Sequence, residues 1–397
     1  MPSSVSDRFA LKFDPERHRR TIGGAEVIIH CHHYNARFQA ALENSTAVDG
    51  KAIIVDSAEA VFARHLRGVV HEGDEPAVRW RVASDLYSHL GYGRLDFSQV
   101  AQGVVTAAES HFVEGGRAIL GSRKTTICSL AQGYIQGASA VVTGRPARVR
   151  EVECMILGAP ICRFELDSSR TEPLTEYVYN RGSESAGRIT IPTLDSPNID
   201  EARIIGALVA MPIAGNNQGL IPAFNVYLAN TPGDFYNLVT IRYVEEMERS
   251  HMGDIARELL VECSESCAMS TFRGILESAE WDALIRPMVK EPADKLFGLV
   301  AVSKALGWGD WRVLKHAPAE TLQMVSYNGY ESVGYLAMRG PGTRPACFML
   351  TGVTAGIMEL LYGYGSMNER LGQFSGTEPS CRSAGAPCCE FQAEADQ

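Results

Sequence analysis

Two widely separated segments of this chain repeat one pattern of metal-binding residue types, and any acceptable fold has to account for both. The first runs Glu151, Cys154, Gly158-Ala159-Pro160, Cys162, Phe164. The second runs Glu378, Cys381, Gly385-Ala386-Pro387, Cys389, Phe391, with every shared position displaced by the same interval. A carboxylate and two thiols spaced around a Gly-Pro turn predict a knuckle that wraps a soft cation, since thiolates favour zinc over magnesium or calcium. Its presence twice predicts an internal duplication.

Further landmarks extend the duplication upstream. Leu90-Gly91-Tyr92-Gly93 matches Leu306-Gly307-Trp308-Gly309, Ala58 to Phe62 matches Ala268 to Phe272, and Gly133 is paired with Gly356. The spacing predicts one repeat over residues 24–167 and a second over 218–393. Residues 168–217 join them, polar at first and then with apolar, strand-like runs. Within the first repeat, Glu26 to Cys31 is a β-branched run and predicts a strand. Helical periodicity covers Ser57 to Val69 and Ala77 to Leu90, the latter entered after Pro76 and stopped at Gly91. Residues 36–46 and 126–142 also predict helices, while Ala147 to Cys154 and Ile161 to Leu166 predict a hairpin. The first twenty residues read as loose chain. The expected class is α/β in the α+β sense: two tandem copies of a mixed helix and antiparallel-sheet domain. Duplicated units of this size bury matching faces, so a pseudo-twofold pair is expected.

Composition narrows the partners. Lys and Arg number 37 against 47 Asp and Glu, a net charge of −10. That balance argues against nucleic acid and against anionic membranes. Nothing near Met1 resembles an apolar signal segment, and the run from Ile204 to Ala214 is too short to span a bilayer, so a cytoplasmic protein is expected. Ten cysteines in a reducing compartment then point to metal binding or chemistry rather than disulfides.

The stretch Cys128-x4-Gly133-Tyr134-x2-Gly137, Gly144-Arg145-Pro146, Glu151-x2-Cys154-x7-Cys162 resembles the 4-vinyl reductase domain family, which includes phenol-sensing domains of bacterial activators. No ATPase module or DNA-binding helix-turn-helix follows it here. The resemblance implies a structural zinc held by Cys128, Glu151, Cys154 and Cys162. Four protein ligands would close the coordination sphere, and Arg145, Arg148, Arg150 and Arg163 stand nearby in sequence to offset its charge. The alternative is a hairpin with buried free cysteines. In the second repeat Glu378, Cys381 and Cys389 form a second candidate site. Thr351 stands where Cys128 is expected, and Cys347 lies one turn earlier. The family's sensors also imply a small-aromatic pocket, for which Trp80, Tyr87, His89, Tyr92, His111, Phe112 and Tyr134 are the candidates; core packing is the competing reading.

His30-Cys31-His32-His33 is the other unusual segment. At a strand end His30 and His32 would share a face, a half-site for iron or copper, with His65, His89 or His111 as candidate third ligands. His30, His32 and His33 are thus the candidate catalytic residues; bound-ligand contacts or helix capping are the plainer reading. Two functions follow. One is a zinc-containing tandem protein binding a hydrophobic aromatic or tetrapyrrole-like molecule, with a homodimer compatible with the sequence. The other is an enzyme, an oxygenase or reductase acting on an aromatic substrate. No G-x-G-x-x-G opens a helix after a strand, so a reductase would need an external electron source. A scaffold role is a third reading.

Overall fold

The computed structural model describes residues 8–180 and 190–396. The chain opens with β1 (Lys12–Asp14), β2 (Arg19–Ile22) and β3 (Ala25–Cys31), then α1 (His32–Glu43), α2 (Gly50–Val69) and α3 (Pro76–His89). Next come β4 (Gly93–Asp96), β5 (Val104–Ser110), α4 (His111–Ile119) and α5 (Ser129–Thr143), before β6 (Arg148–Glu153) and β7 (Cys162–Asp167) close the N-terminal half. A connecting helix, α6 (Glu201–Ala210), leads to β8 (Ile221–Ala223), β9 (Val226–Pro232), α7 (Gly233–Arg249) and α8 (Gly253–Leu276). The C-terminal half continues with α9 (Ala279–Leu284), α10 (Asp294–Ala305), β10 (Trp311–Ala317), β11 (Thr321–Ser326) and α11 (Tyr330–Arg339). It ends with α12 (Phe348–Tyr362), α13 (Met367–Arg370), β12 (Phe374–Ser380) and β13 (Cys389–Ala395). The mixed α+β class is the one expected.

Every sheet among the described residues is antiparallel. Two have four strands in one common order, β4-β5-β7-β6 and β10-β11-β13-β12. The third, β1-β2-β3-β9-β8, draws on both halves. Its centre is the run Val27, Ile28 and Ile29, each no more than 1% exposed, as expected of a strand covered on both faces. Val27 pairs with Pro232 and Cys31 with Leu228. A step of 201 residues turns either pair into the other, and carries Ile29 onto its own partner, Asn230.

Each central strand also crosses to the opposite half. The Ile29 N–H donates to Leu306 O at 3.0 Å, and the Asn230 N–H to Leu90 O at 2.8 Å. Gly91 and Gly307 adopt matching left-handed φ of 95° and 91°. A Cβ there would lie 2.7 Å from Leu228 O or 2.9 Å from Val27 O, so only glycine lets these turns meet the opposing strand.

Helix packing places matching contacts one helical turn away from the expected pairing of glycines. On α5, a Cβ at Gly133 would meet Val55 and Ala58 of α2; on α12, the same contact with Val261 and Ser264 of α8 falls at Gly352. Gly356 instead meets Glu265 and Ala268, as Gly137 meets Glu59 and Ala63. In packing, Gly133 thus matches Gly352 rather than Gly356, and Ala58 matches Ser264 rather than Ala268. Glycines at these crossings let helix backbones approach closely.

Two other expectations change. Residues 1–7 lie outside the described residues, but from Arg8 on the chain is tied down: Phe9 is 3% exposed, Arg8 binds Asp74 with both guanidinium nitrogens, and β1 and β2 join the central sheet. In the connecting segment the apolar run is helix α6, capped by Asp200, with one isolated bridge, Leu194 to Val313, in place of added strands. Part of the strand-like run, residues 187–189, lies outside the described residues. Arg170 anchors the near end of this segment by pairing through Nη1 and Nη2 with the fully buried Glu59 carboxylate at 2.7 and 2.9 Å. No helix among the described residues is long and apolar enough to cross a membrane.

Candidate functional site

All four ligands expected of the first cluster converge. Cys128 is the residue preceding α5, and its N–H donates to Glu151 Oε2 at 2.9 Å. Cys154 follows β6, a turn closes at Gly158 with φ 93°, and Cys162 opens β7. The sulfurs of Cys128 and Cys162 lie 3.7 Å apart, and those of Cys162 and Cys154 3.8 Å apart.

A second cluster repeats the arrangement with Cys347, Glu378, Cys381 and Cys389. The Cys347 N–H donates to Glu378 Oε2 at 2.9 Å, and the three sulfurs stand 3.6–3.7 Å apart. Cys347, directly before α12, thus takes the place for which Thr351 was expected. Thr351 lies inside the helix and donates its hydroxyl to Cys347 O at 2.6 Å. Cys388 faces Glu390 instead.

These residues fit a tetrahedral thiophilic ion. Two sulfurs on one zinc, each about 2.3 Å from it, stand about 3.8 Å apart. In each cluster the ligand atoms all lie within 4.8 Å of one another, and the second carboxylate oxygen, Glu151 Oε1 or Glu378 Oε1, is buried without a partner. Burial, then the neighbouring Cys154 thiol, pushes Glu151 up to about 8; burial and Cys381 push Glu378 up to about 10. A dication would favour the ionised set by cancelling that repulsion. Three of the four arginines near in sequence pair elsewhere, Arg148 with Glu172, Arg150 with Glu165, and Arg163 with Glu153 and Glu165, and Arg145 is exposed.

The histidine segment differs from its strand reading. β3 stops at Cys31, whose sulfur accepts the Tyr34 N–H and caps α1, so His32 and His33 begin a helix. His32 Nδ1 accepts the Tyr227 N–H at 3.1 Å, and its ring lies 4.0 Å from that of His33. His30 points elsewhere, ringed by Tyr34, Tyr236, Trp308 and Tyr330, with both ring nitrogens unpartnered. Burial lowers His30 to about 3 and His32 to about 4, so both are neutral imidazoles. The candidate third ligands are engaged separately: His65 with Ile22 O, His89 against Phe9, His111 with Asn35. Among the described residues no group of three or more metal ligands includes these histidines. The iron or copper half-site therefore lacks its complement.

Of the expected aromatic pocket, Phe112 lines a small cavity. Tyr87, Tyr92 and Tyr134 pack with Phe62 in the core, Trp80 stacks on Phe97, and His89 sits beside Phe9. The cavity, of about 10 Å³, lies between α1, α2, α4, α5 and the exchanged β9–α7 segment. Asn35, Phe38, Gln39, Ile54, Leu130, Thr231, Phe235 and Tyr236 complete its wall.

A buried polar chain runs along that wall. Tyr92 donates to Thr231 Oγ1 at 2.7 Å, Tyr236 bonds Asn35 Oδ1, and Asn35 Nδ2 meets His111 Nε2 at 2.8 Å. Gln39 gives its amide nitrogen to Glu43 Oε1 and Ile127 O at 2.9 and 2.6 Å, which leaves its Oε1 a buried acceptor with no partner. The sequence carried no local signal for this wall, because α1 and α7 come together only through the strand exchange.

Comparison with known proteins agrees with the expected kinship over one segment. Residues 105–168 match the model of the 4-vinyl reductase domain, covering the four ligands of the first cluster from β5 to the end of β7. Among solved structures, the phenol-responsive sensory domain of the transcription activator PoxR, determined with phenol, is similar at 15% identity and a TM-score of 0.38. The match covers 51% of this chain and 92% of that one. No curated protein sequence matches the chain.

Proposed function

We propose that this protein binds a small aromatic molecule, using two copies of one unit of the 4-vinyl reductase type that are each pinned by a structural zinc. The observation that carries this reading is the aromatic-lined cavity of the N-terminal half, with the free Gln39 Oε1 as its polar group. A buried acceptor without a donor is costly, and a ligand hydroxyl would satisfy it. The metal serves the site indirectly. It would hold the start of α5 to the β6–β7 hairpin, and Leu130, two residues after Cys128, forms part of the cavity wall. A closed set of three thiolates and a carboxylate supplies structure and leaves no open position for a substrate.

The cavity holds about one water molecule as it stands. Beside its wall, Glu43 accepts from Gln39, Ser129 and Arg123 and so ties α1 to the start of α5. A ligand must widen this space, and a single ring suits it better than a tetrapyrrole. The test is calorimetric titration of the full chain with phenol. Binding that Gln39→Leu weakens roughly tenfold, the worth of one buried hydrogen bond, supports the reading. Binding indifferent to Gln39 counts against it.

A further inference from the structure

The C-terminal half contains a cavity at the equivalent place, and its surroundings differ in a way that points to a second site. It too measures about 10 Å³, and its wall includes Tyr34, Tyr236, Tyr330, Thr240, Glu331 and Phe348. Asn237, Thr240, Glu331 and Phe348 also line a pocket of about 150 Å³ that opens at the surface. Those four residues are thus the partition between an outer pocket of single-ring size and an inner space. In the N-terminal half the positions of Thr240 and Phe348 are held by Gln39 and Ser129, both tied to Glu43. In the N-terminal half these two positions are cross-linked through Glu43; in the other, Thr240 bonds only within α7, to Tyr236 O and Asn237 O, and Phe348 is a half-buried phenyl ring.

His30 packs against the wall of the inner space without itself lining it. It is 1% exposed, both ring nitrogens lack partners, and its ring lies 4.6, 5.0 and 6.3 Å from those of Tyr34, Tyr236 and Tyr330, three residues of the cavity wall. A neutral imidazole offers one donor and one acceptor, and a hydroxyl can answer either.

We propose that the outer pocket and inner cavity of the C-terminal half are two ends of one binding site for a single-ring, hydroxyl-bearing molecule, with Phe348 and Thr240 as its gate and His30 as the hydrogen-bonding group at its closed end. This rests on the reading that these cavities hold small aromatics, and adds a second site with its own entrance. Tyr236 and Phe38 line both cavities, so the two sites share a wall.

Titration of the metal-loaded full chain with phenol separates the two readings. The expected result is two equivalents bound: one lost in Thr240→Trp and weakened roughly tenfold in His30→Phe, the other weakened in Gln39→Leu. One equivalent that responds to Gln39→Leu and ignores Thr240→Trp and His30→Phe overturns this proposal and leaves the N-terminal site standing. One equivalent that responds only to Thr240→Trp and His30→Phe supports it and removes the N-terminal site. No binding overturns both. Should Thr240→Trp fail to fold, amide exchange of the unsubstituted chain decides: phenol-dependent protection in α7 and α11 supports the site, and protection confined to α1 and α4 overturns it.

Discussion

Gly133→Ala is expected to destabilise the protein, although alanine is the better helix former by about 1 kcal/mol. The new methyl would lie 2.6 Å from Ala58 Cβ and 2.9 Å from Glu59 N, and would overlap the Val55 carbonyl oxygen. Ordinary carbon contacts need about 3.5–4.0 Å, so α5 would have to move off α2 by about 1 Å. Overpacking costs about 1–3 kcal/mol, and the upper end applies because backbone atoms cannot rotate away. The net loss is then about 2 kcal/mol, a fall in Tm of about 2–3 °C for one cooperative unit of 397 residues. Because Cys128 begins α5, the same displacement should loosen the metal cluster and speed zinc loss to a chelator. Gly206→Ala is the matched control: this glycine is exposed in α6 with nothing within 4 Å of a new Cβ, so the helix-propensity gain of about 1 kcal/mol should appear unopposed. Thermal melts of both variants read the signs. Stabilisation by both, or zinc loss unchanged in Gly133→Ala, would refute the packing argument.

Two further outcomes follow from buried charge. Glu59→Ala leaves the Arg170 guanidinium, 8% exposed, without its partner; a stability loss of about 3 kcal/mol is expected, with faster proteolysis in residues 170–180. Metal-stripped protein should change little in stability between about pH 5 and 8. Glu151 and Glu378 are raised in the fold, chiefly by burial, while Cys154 and Cys381 are lowered, chiefly by hydrogen bonds from Cys128 and Cys347. Each folded cluster therefore keeps one proton on its carboxyl and gives one up from its thiol, and the two shifts offset; Tm against pH with chelator present would show a steep slope if they did not.

How far the sequence could be read depended on whether a feature was local. Glu151, Cys154 and Cys162 were legible because one hairpin carries all three, and Gly158 marks its turn. Cys347 was obscured because helices α5 and α12 are rich in small residues, and matching the wrong glycine slips the register by one turn. The histidine pair was misread because a cysteine is an unusual helix cap, so nothing announced that the strand ends at Cys31. Asp200 followed by Glu201 did carry a helix-start signal for α6, but the apolar run beyond it also suits a strand. The cavity walls were beyond sequence reasoning. They depend on β3 and β9 exchanging between halves, a pairing set by a strand register that no local motif encodes.

The two proposed ions would hold α5 and α12 against their hairpins. Metal content of the purified full chain, measured after dialysis, examines that directly. Two zinc ions per chain are expected, with one remaining in Cys154→Ser or in Cys381→Ser and a lowered Tm in each. A chain that folds and melts identically with no metal bound would contradict the account.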